Sequence, residues 1–256
     1  MITSLLQGGL GNQMFQIAAA WSHSKTIGSN CEFDLSKSHV ETQGKKALKY
    51  GNSIFKKLTN TNIDYNKMFG YREPKFSYNP IPKQDNLLLV GNFQSEKYFD
   101  DHKNILDEIF YFDDEKINNI KSLIERESLG KKISSIHVRR GDYLKKPNFH
   151  PTCDMNYYNK AMDIINADKY FVVSDDLEWC KENFKGDQFF FSPFTDELDD
   201  LYLIMGCDNH IIANSSFSWW GAYLSKSKNI ICPSTWFGVN GPQDTKDIYI
   251  KEWTII

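Results

Sequence analysis

With 256 residues, the chain has room for one large domain or for two domains of about 100–150 residues each. Its 30 basic and 33 acidic residues leave a formal net charge of −3. This balance argues against nucleic acid as the main ligand, because binding to a phosphate backbone needs a basic surface. The five cysteines form no C-x-x-C pair, so the sequence indicates neither a zinc site nor a disulfide framework.

The start of the chain does not match a targeting segment. It has no basic region and soon reaches Gly8 and Gly9, unlike a signal peptide. Every apolar run is far shorter than the ~20 residues needed to cross a bilayer. We therefore expect a cytoplasmic protein, one that can still rest on the surface of the inner membrane.

The N-terminal part predicts a strand, a glycine turn and a helix. Residues 2–6 form the strand candidate, and residues 7–12 form the turn. From Met14 onward, apolar side chains recur at i, i+3, i+4 and i+7, which indicates one buried helix face that ends near Gly28. This order is typical of the opening unit of a nucleotide-binding α/β domain.

The middle of the chain carries a weaker pattern. Residues 35–86 are rich in Lys, Asn and Tyr and contain three prolines, so we predict loops and short helices there. Residues 87–90 predict a buried strand. Charged residues cluster at 115–132, which indicates a boundary between an N-terminal domain, 1–130, and a C-terminal domain, 131–256.

The second half alternates between strands and helices. Helical periodicity covers the segments around residues 158–165 and 198–205. Strands are predicted at 134–138, 169–174, 188–192, 209–213 and 229–232. Strands that alternate with helices of this length predict an α/β fold with a parallel sheet covered on both faces.

Two arginines follow the strand at 134–138, within the sequence H-V-R-R-G-D-Y. Ligands of open parallel sheets bind outside the carboxyl ends of the strands. Arg139 and Arg140 at such an end suit a polyanion, because a guanidinium gives bidentate hydrogen bonds to phosphate and keeps its charge. The alternative is a purely structural ion pair, in which Asp142 holds one of the arginines.

The segment N-S-S-F-S-W-W-G-A at 214–222 directly follows the apolar strand at 210–213. Asn214 or Ser215 is a good N-cap, and the N-terminus of a helix presents free N–H groups to an anion. The alternative is capping alone, which we expect in either case. Trp219 and Trp220 are most simply packing residues.

The glycine turn at residues 8–13 fits neither the dinucleotide pattern G-x-G-x-x-G nor the P-loop pattern. The sequence also has no D-x-D triplet, the pattern that commonly holds the divalent metal of nucleotide-sugar enzymes. With Arg139 and Arg140 available to neutralise a diphosphate, we expect an enzyme that needs neither a metal nor another cofactor.

Together, four elements resemble the α-1,2-fucosyltransferase family of bacterial type, and more distantly the α-1,6- and protein O-fucosyltransferases. They are G-G-L-G-N-Q-M-F-Q at 8–16, F-Q-S-E-K-Y-F at 93–99, H-V-R-R-G-D-Y at 137–143 and N-S-S-F-S-W-W-G-A at 214–222. Four such elements in the same order are far more specific than any one of them.

The resemblance implies a GT-B-like architecture, with two facing Rossmann-like domains that each contain a parallel sheet. The C-terminal domain would bind GDP-fucose and the N-terminal domain the acceptor side. It also implies inverting, metal-independent transfer of L-fucose from GDP-β-L-fucose to a sugar hydroxyl, with O-2 of a galactose-terminated glycan expected as the acceptor. The alternatives are a fucosyltransferase of another linkage and a non-catalytic GDP-sugar- or glycan-binding module.

The resemblance also implies roles for individual residues. Arg139 would hold the diphosphate and stabilise the charge of the leaving group. Candidates for accepting the proton of the acceptor hydroxyl are Asp142, Glu96 and the polar turn that contains Asn12. The residues expected to line the donor site are Gly9, Gly11, Asn12, His137, Arg139, Arg140, Asp175, Asp176, Asn214, Ser215, Ser216 and Phe217.

Overall fold

A computed structural model describes residues 1–39 and 45–256, which form two compact units. Unit 1 comprises Met1–Asp113 and Asp244–Ile250, and unit 2 comprises Asp114–Gln243 and Lys251–Ile256. The elements of unit 1 are β1 (Ile2–Ser4), α1 (Leu10–Ile27), β2 (Phe69–Arg72), β3 (Leu87–Val90) and α2 (Leu106–Ile109). Those of unit 2 are α3 (Asp114–Ser128), β4 (Ile133–Val138), α4 (Met155–Ile165), β5 (Lys169–Ser174), α5 (Leu177–Asn183), β6 (Phe189–Phe191), α6 (Glu197–Met205), β7 (Asn209–Ile211), α7 (Ser216–Leu224), β8 (Asn229–Cys232) and β9 (Thr254–Ile255).

Unit 1 contains a parallel sheet with the strand order β1-β3-β2. The predicted first strand, the helix that ends before Gly28 and the strand at 87–90 are confirmed. Gly28 adopts a positive φ of 68° as the C-cap of α1, a conformation that glycine takes without strain.

The segment 35–86 contributes short 3₁₀ turns, as predicted, and also the edge strand β2, which the sequence did not indicate. Three of the four residues of β2 are exposed, so the strand lacks the alternation of apolar and polar residues that would predict it. Its pairing with β3 holds it in the sheet.

Unit 2 contains a parallel sheet with the order β6-β5-β4-β7-β8-β9. Numbered from β4 as the first strand, this is the order 3-2-1-4-5-6 of a Rossmann fold. The five strands predicted in this half are confirmed. Ile136 and Val138 of β4 pack with Tyr158 and Ala161 of α4, which anchors the central strand in the core.

The boundary between the units lies at Asp113–Asp114 rather than at the predicted position 130. Helix α3 is amphipathic, with Ile120 and Ile124 buried, and it packs against α6 of unit 2. The backbone at Gly206 approaches it so closely that a Cβ atom there would lie 2.6 Å from the Cδ1 atom of Ile124. The charged cluster at 115–132 is therefore largely the exposed face of a helix and not a linker. Across residues 1–39 and 45–256, no helix has the length and apolarity needed to span a membrane.

Candidate active site

The topology of unit 2 defines a crevice at the carboxyl edge of its sheet. β4 pairs with both β5 and β7, and the sheet grows from β4 towards β5 and β6 in one direction and from β7 towards β8 and β9 in the other. In such sheets the ligand site lies where the strand order reverses. Arg139 follows β4 directly and Asn214 lies three residues beyond the end of β7, so both predicted binding segments border this point.

Arg139 is held between two carboxylates. Its Nη2 atom donates a hydrogen bond of 2.8 Å to Asp142, and its Nη1 atom lies 3.3 Å from Oδ2 of Asp175. The guanidinium carbon lies 5.4 Å from the ring centre of Tyr143. The Nε atom is buried and has no hydrogen-bond partner in the part of the chain that the structure describes. The planar group is thus fixed at the strand end while one of its donors lacks a protein acceptor.

Arg140 makes a separate set of contacts. Its Nε atom donates to Asp176 at 3.0 Å, and its guanidinium carbon lies 4.2 Å from the ring centre of Trp179. Its backbone N–H donates to Asp175 at 2.9 Å. Of the two arginines that Asp142 could hold, it therefore pairs with Arg139, while Arg140 pairs with Asp176. Arg140 instead ties the end of β4 to the start of α5.

Asp176 has a structural role that adds to this pairing. It is the N-cap of α5, and its Oδ1 atom accepts a hydrogen bond of 3.2 Å from the backbone N–H of Trp179. One carboxylate thus joins the guanidinium of Arg140 to a helix end. Asp175, the adjacent residue, joins the side chain of Arg139 to the backbone of Arg140.

His137 is the last but one residue of β4, and only 5% of its surface is exposed. Burial, with a smaller effect of the Arg139 charge, lowers the pKa of His137 to about 3. The imidazole is therefore neutral at physiological pH. Its ring centre lies 5.5 Å from that of Phe217, and its Nδ1 atom has no partner among the described residues. The structure thus brings together His137 of β4 and Phe217 of α7.

Asn214 connects three loops at this edge of the sheet. Its Nδ2 atom donates to the carbonyl oxygens of Pro151 and Trp236, both at 2.9 Å. Its own carbonyl oxygen accepts a hydrogen bond of 2.9 Å from the hydroxyl of Tyr143. The amide of this predicted binding residue is thus used to hold the surrounding loops.

Ser215 occupies the N-cap position of α7, but its hydroxyl makes no capping hydrogen bond. The prediction of a side-chain cap is therefore wrong at this residue. Ser216 is the first residue of the helix, followed by Phe217. Trp219 and Trp220 are completely buried, which confirms that they are packing residues.

The glycine turn belongs to unit 1. Gly8 has a φ of 77°, and a Cβ atom there would lie 2.4 Å from Nδ2 of Asn12. Gly9 is the N-cap of α1, and Gly11 lies in its first turn. Asn12 accepts a hydrogen bond of 2.7 Å from Nε2 of Gln94. The first and second resemblance motifs therefore meet within unit 1.

Two buried glutamines of α1 fix this turn. The Nε2 atom of Gln13 donates a hydrogen bond of 2.8 Å to the carbonyl oxygen of Gly8. Gln16 accepts from the N–H of Gln7 at 2.9 Å and donates to the carbonyl oxygen of Gly91 at 3.1 Å. The polar residues of the first motif thus form the inner framework of the turn.

Sequence reasoning missed Glu73, which follows the edge strand β2. Its carboxylate accepts hydrogen bonds from the backbone N–H groups of Asn92 and Phe93, at 2.8 and 3.1 Å, and from the hydroxyl of Tyr98 at 3.3 Å. Phe93 has a positive φ of 51°, so the carboxylate holds a strained turn directly before Gln94. Burial raises the pKa of Glu73, an effect that these hydrogen bonds oppose. The only sequence signal was an acidic residue within a segment that matches no motif.

The described residues contain no group of three or more His, Cys, Asp or Glu side chains arranged to hold a metal ion. The positive charge at the crevice of unit 2 comes from Arg139 and Arg140. A fixed guanidinium at a strand end and the start of a helix are groups that can bind a phosphorylated ligand.

The chain belongs to glycosyl transferase family 11, whose family model matches residues 1–256. It is therefore a glycosyltransferase, and its likeness to characterised members extends over nearly its whole length. The O-antigen biosynthesis glycosyltransferase WbnK of Escherichia coli is 28% identical, over 97% of this chain and 99% of the relative. An α-1,2-colitosyltransferase of E. coli is 31% identical, over 93% of this chain and 92% of the relative. A galactoside 2-α-L-fucosyltransferase of Caenorhabditis elegans is 23% identical, over 90% of this chain and 70% of the relative.

Among solved structures, the chain is similar to the NodZ α-1,6-fucosyltransferase soaked with GDP-fucose. The TM-score is 0.53 at 14% identity, and the match covers 94% of this chain and 97% of the other. At this identity the likeness concerns the fold. It confirms the predicted α/β, GT-B-like class, and the resemblance to fucosyltransferase families is confirmed by the family match.

Proposed function

We propose that this glycosyltransferase moves L-fucose from GDP-β-L-fucose to O-2 of a galactoside, with inversion at the anomeric carbon and without a metal. The observation that carries the proposal is the fixed guanidinium of Arg139 at the switch point of the sheet in unit 2. Its position after β4 is where a nucleotide sugar would place its diphosphate in a fold of this order.

Arg139 is suited to the charge that develops during transfer. As the bond between the fucose carbon and the phosphate oxygen breaks, negative charge grows on the leaving GDP. Asp142 and Asp175 hold the guanidinium in place before the donor binds, so little reorganisation is needed in the transition state. The side chain of Arg139 is 21% exposed, which leaves part of it open to a phosphate oxygen.

In the proposed reaction the acceptor oxygen forms a bond to the anomeric carbon on the face opposite the leaving phosphate. GDP departs with the electron pair of the broken bond, and the acceptor hydroxyl loses its proton. Asp142, Glu96 and the turn with Asn12 remain the candidates for accepting this proton. The carboxylate of Asp142 already accepts a hydrogen bond of 2.8 Å from Nη2 of Arg139, so one of its oxygen atoms is engaged before the acceptor binds.

The 1,2 linkage and the galactoside acceptor are supported by the relatives. One is a galactoside 2-α-L-fucosyltransferase, and another is an α-1,2-colitosyltransferase. Both names specify transfer to a 2-hydroxyl, although the sugars transferred differ. The two relatives thus share the linkage in their names but not the sugar that they transfer.

Colitosyl transfer is the second candidate, favoured by the 31% identity to the colitosyltransferase. Colitose is L-fucose without its 3-hydroxyl group. A site that hydrogen-bonds this hydroxyl would reject colitose strongly, because its own polar groups would lose their partner, whereas an apolar site would discriminate weakly. The ratio of kcat/KM values for the two donors is therefore the decisive quantity.

The test is a transfer assay with GDP-fucose, GDP-colitose and UDP-galactose, using galactose-terminated acceptors and NMR analysis of the product linkage. We expect α-1,2-linked fucose as the main product and full turnover in excess EDTA. A preference for GDP-colitose would identify the second candidate. Activity lost on chelation and restored by Mn²⁺ would refute metal independence, and GDP-fucose binding without turnover on any acceptor would indicate a binding module.

A further inference from the structure

Three large apolar side chains of unit 2 are exposed on two neighbouring loops. Leu144 is 51% exposed, Phe149 is 37% exposed and Val239 is 80% exposed. Between the first two lie Lys145 and Lys146, which are both exposed. We call these five residues the apolar–basic patch.

Backbone hydrogen bonds join the two loops, which brings Val239 close to Phe149. The N–H of Gly238 donates a hydrogen bond of 3.0 Å to the carbonyl oxygen of Phe149, and the N–H of Asn240 donates one of 2.9 Å to the carbonyl oxygen of Asn148. The rings of Phe149 and Phe237 are in edge contact at 5.5 Å. A Cβ atom at Gly238 would lie 2.4 Å from the Asn148 carbonyl oxygen, so only glycine allows this approach.

The local backbone also holds the first loop in a compact form. The N–H of Lys146 donates to the carbonyl oxygen of Tyr143 at 3.0 Å, and the N–H groups of Phe149 and His150 donate to that of Lys146 at 2.9 and 2.8 Å. An ordered loop that keeps large apolar side chains in water loses the free energy of burying them. Such an exposed patch indicates a surface that is covered in use.

The charges of the patch select the occupant. Among residues 1–39 and 45–256, neither Lys145 nor Lys146 makes an ion pair, so two positive charges flank the apolar side chains. The whole chain carries a formal charge of −3, so a negative surface would not attract it without a local basic site. Apolar side chains combined with free lysines are the pattern that binds the interface of an anionic bilayer.

The size of the patch argues in the same direction. A stable interface between proteins buries roughly 1,000 Å² or more. A fully covered aromatic side chain supplies about 150–250 Å², so three partly covered side chains fall well short of that area. A bilayer has no such minimum, because its binding energy comes from a few inserted side chains and from charge.

We propose that the apolar–basic patch docks unit 2 on an anionic lipid surface. The patch begins directly after Tyr143, whose ring lies 5.4 Å from the guanidinium carbon of Arg139. The bilayer would then lie beside the crevice of unit 2. The surface itself is independent of which sugar the enzyme transfers.

The experiment is co-sedimentation of the full chain with vesicles of phosphatidylglycerol and phosphatidylcholine, and with phosphatidylcholine alone. We expect binding to the mixed vesicles at low salt, with weaker binding at high salt because exposed charges are screened. The double variant Lys145→Gln/Lys146→Gln should bind about thirty-fold more weakly. Leu144→Ser/Val239→Ser should also bind more weakly, by roughly tenfold. Neither pair has a ring contact or an ion pair to lose, so both variants should keep the wild-type melting temperature.

Matched controls come from unit 2 itself. Lys121→Gln/Lys131→Gln removes two exposed lysines elsewhere, and Leu129→Ser/Ile164→Ser removes two exposed apolar side chains. Both should bind vesicles like the wild type. The patch variants should keep wild-type turnover on a soluble acceptor, which separates this proposal from that of the enzymatic function.

Three results would overturn the proposal. The first is that the wild-type protein does not bind the mixed vesicles. The second is that the patch variants and the control variants lose vesicle binding equally. The third is a dimer, seen in sedimentation velocity, that Leu144→Ser/Val239→Ser dissociates, while the wild-type protein does not bind vesicles. The last would show that a second copy of the chain covers the patch.

Discussion

Arg139→Lys should nearly abolish transfer while leaving the fold intact. In the structure the guanidinium reaches Asp142 and Asp175 with two different nitrogen atoms, at 2.8 and 3.3 Å, while the side chain stays 21% exposed to a ligand. A lysine ammonium is a single point on a flexible stem. It cannot hold both carboxylates and also present a fixed donor to phosphate.

The magnitude follows from the role of the lost donor. Removal of one preorganised oxyanion donor costs about 2.7–4 kcal/mol, or roughly 10²–10³ in kcat. The positive charge is retained, so ground-state binding should change less than turnover. We therefore expect a large fall in kcat and a smaller change in the Kd for GDP, measured by transfer kinetics and by calorimetry.

Arg140→Lys is the internal comparison. This substitution removes the stacking on Trp179 and changes the hydrogen bond to Asp176, contacts that join β4 to α5. We expect a loss of about 1–2 kcal/mol in the free energy of unfolding and a smaller loss of kcat. If Arg139→Lys keeps more than about a third of the wild-type kcat, its loss is under ~0.7 kcal/mol and the proposed role is refuted. Exchanged phenotypes would show that Arg140 is the residue that contacts the diphosphate.

Two further predictions concern residues of unit 1 and of the unit 2 core. Glu73→Gln should lower the free energy of unfolding by about 1–3 kcal/mol and reduce kcat, because an amide nitrogen would face a backbone N–H of the turn before Gln94. The control is Glu32→Gln, because the carboxylate of Glu32 also accepts a hydrogen bond, from the hydroxyl of Thr61. This variant should keep the wild-type kcat, and equal losses of kcat in both variants would contradict the role of Glu73. Burial lowers the pKa of His210 to about 3. Below a pH of about 6.5, this residue therefore binds a proton in the unfolded chain but remains neutral in the folded chain. The contribution of neutral His210 to stability is therefore complete above pH 6.5 and is lost as the pH falls towards 3. In His210→Asn, the free energy of unfolding measured with urea should fall less steeply with decreasing pH, by about 1.4 kcal/mol per pH unit in this window. An unchanged slope would refute this assignment.

Much of unit 2 could be predicted from the sequence. Its strands are short apolar runs separated by amphipathic helices. A strand of a parallel sheet is buried on both faces, so its side chains are mostly apolar and the run is visible in the sequence. The position of Arg139 and Arg140 at a strand end follows from the same local pattern. The buried pair Trp219 and Trp220 was predictable because such large apolar rings are stable only when packed.

The pairing of charges could not be predicted from the sequence. Asp142, Asp175 and Asp176 are all near the arginines, but which carboxylate meets which guanidinium depends on how β4 and β5 align. Their parallel register places the residues after Val138 beside those after Ser174. The sequence spacing alone favoured Asp142 as a partner without deciding between the two arginines.

The sequence by itself determined the α/β class of the fold and the order of strands and helices in unit 2, since both depend on composition and spacing within about ten residues, and it also contained the four motifs on which the family resemblance rests. Only the tertiary structure decided the boundary before α3, the edge strand β2, the loop held by Glu73 and the joining of the 144–149 loop to Gly238. Each of these depends on contacts between residues distant in the chain. Helix α3 makes these contacts through apolar side chains that pack on α6, whereas β2, Glu73 and Gly238 make them through hydrogen bonds with backbone groups. Almost every residue carries such backbone groups, so these hydrogen bonds leave little trace in the amino-acid sequence.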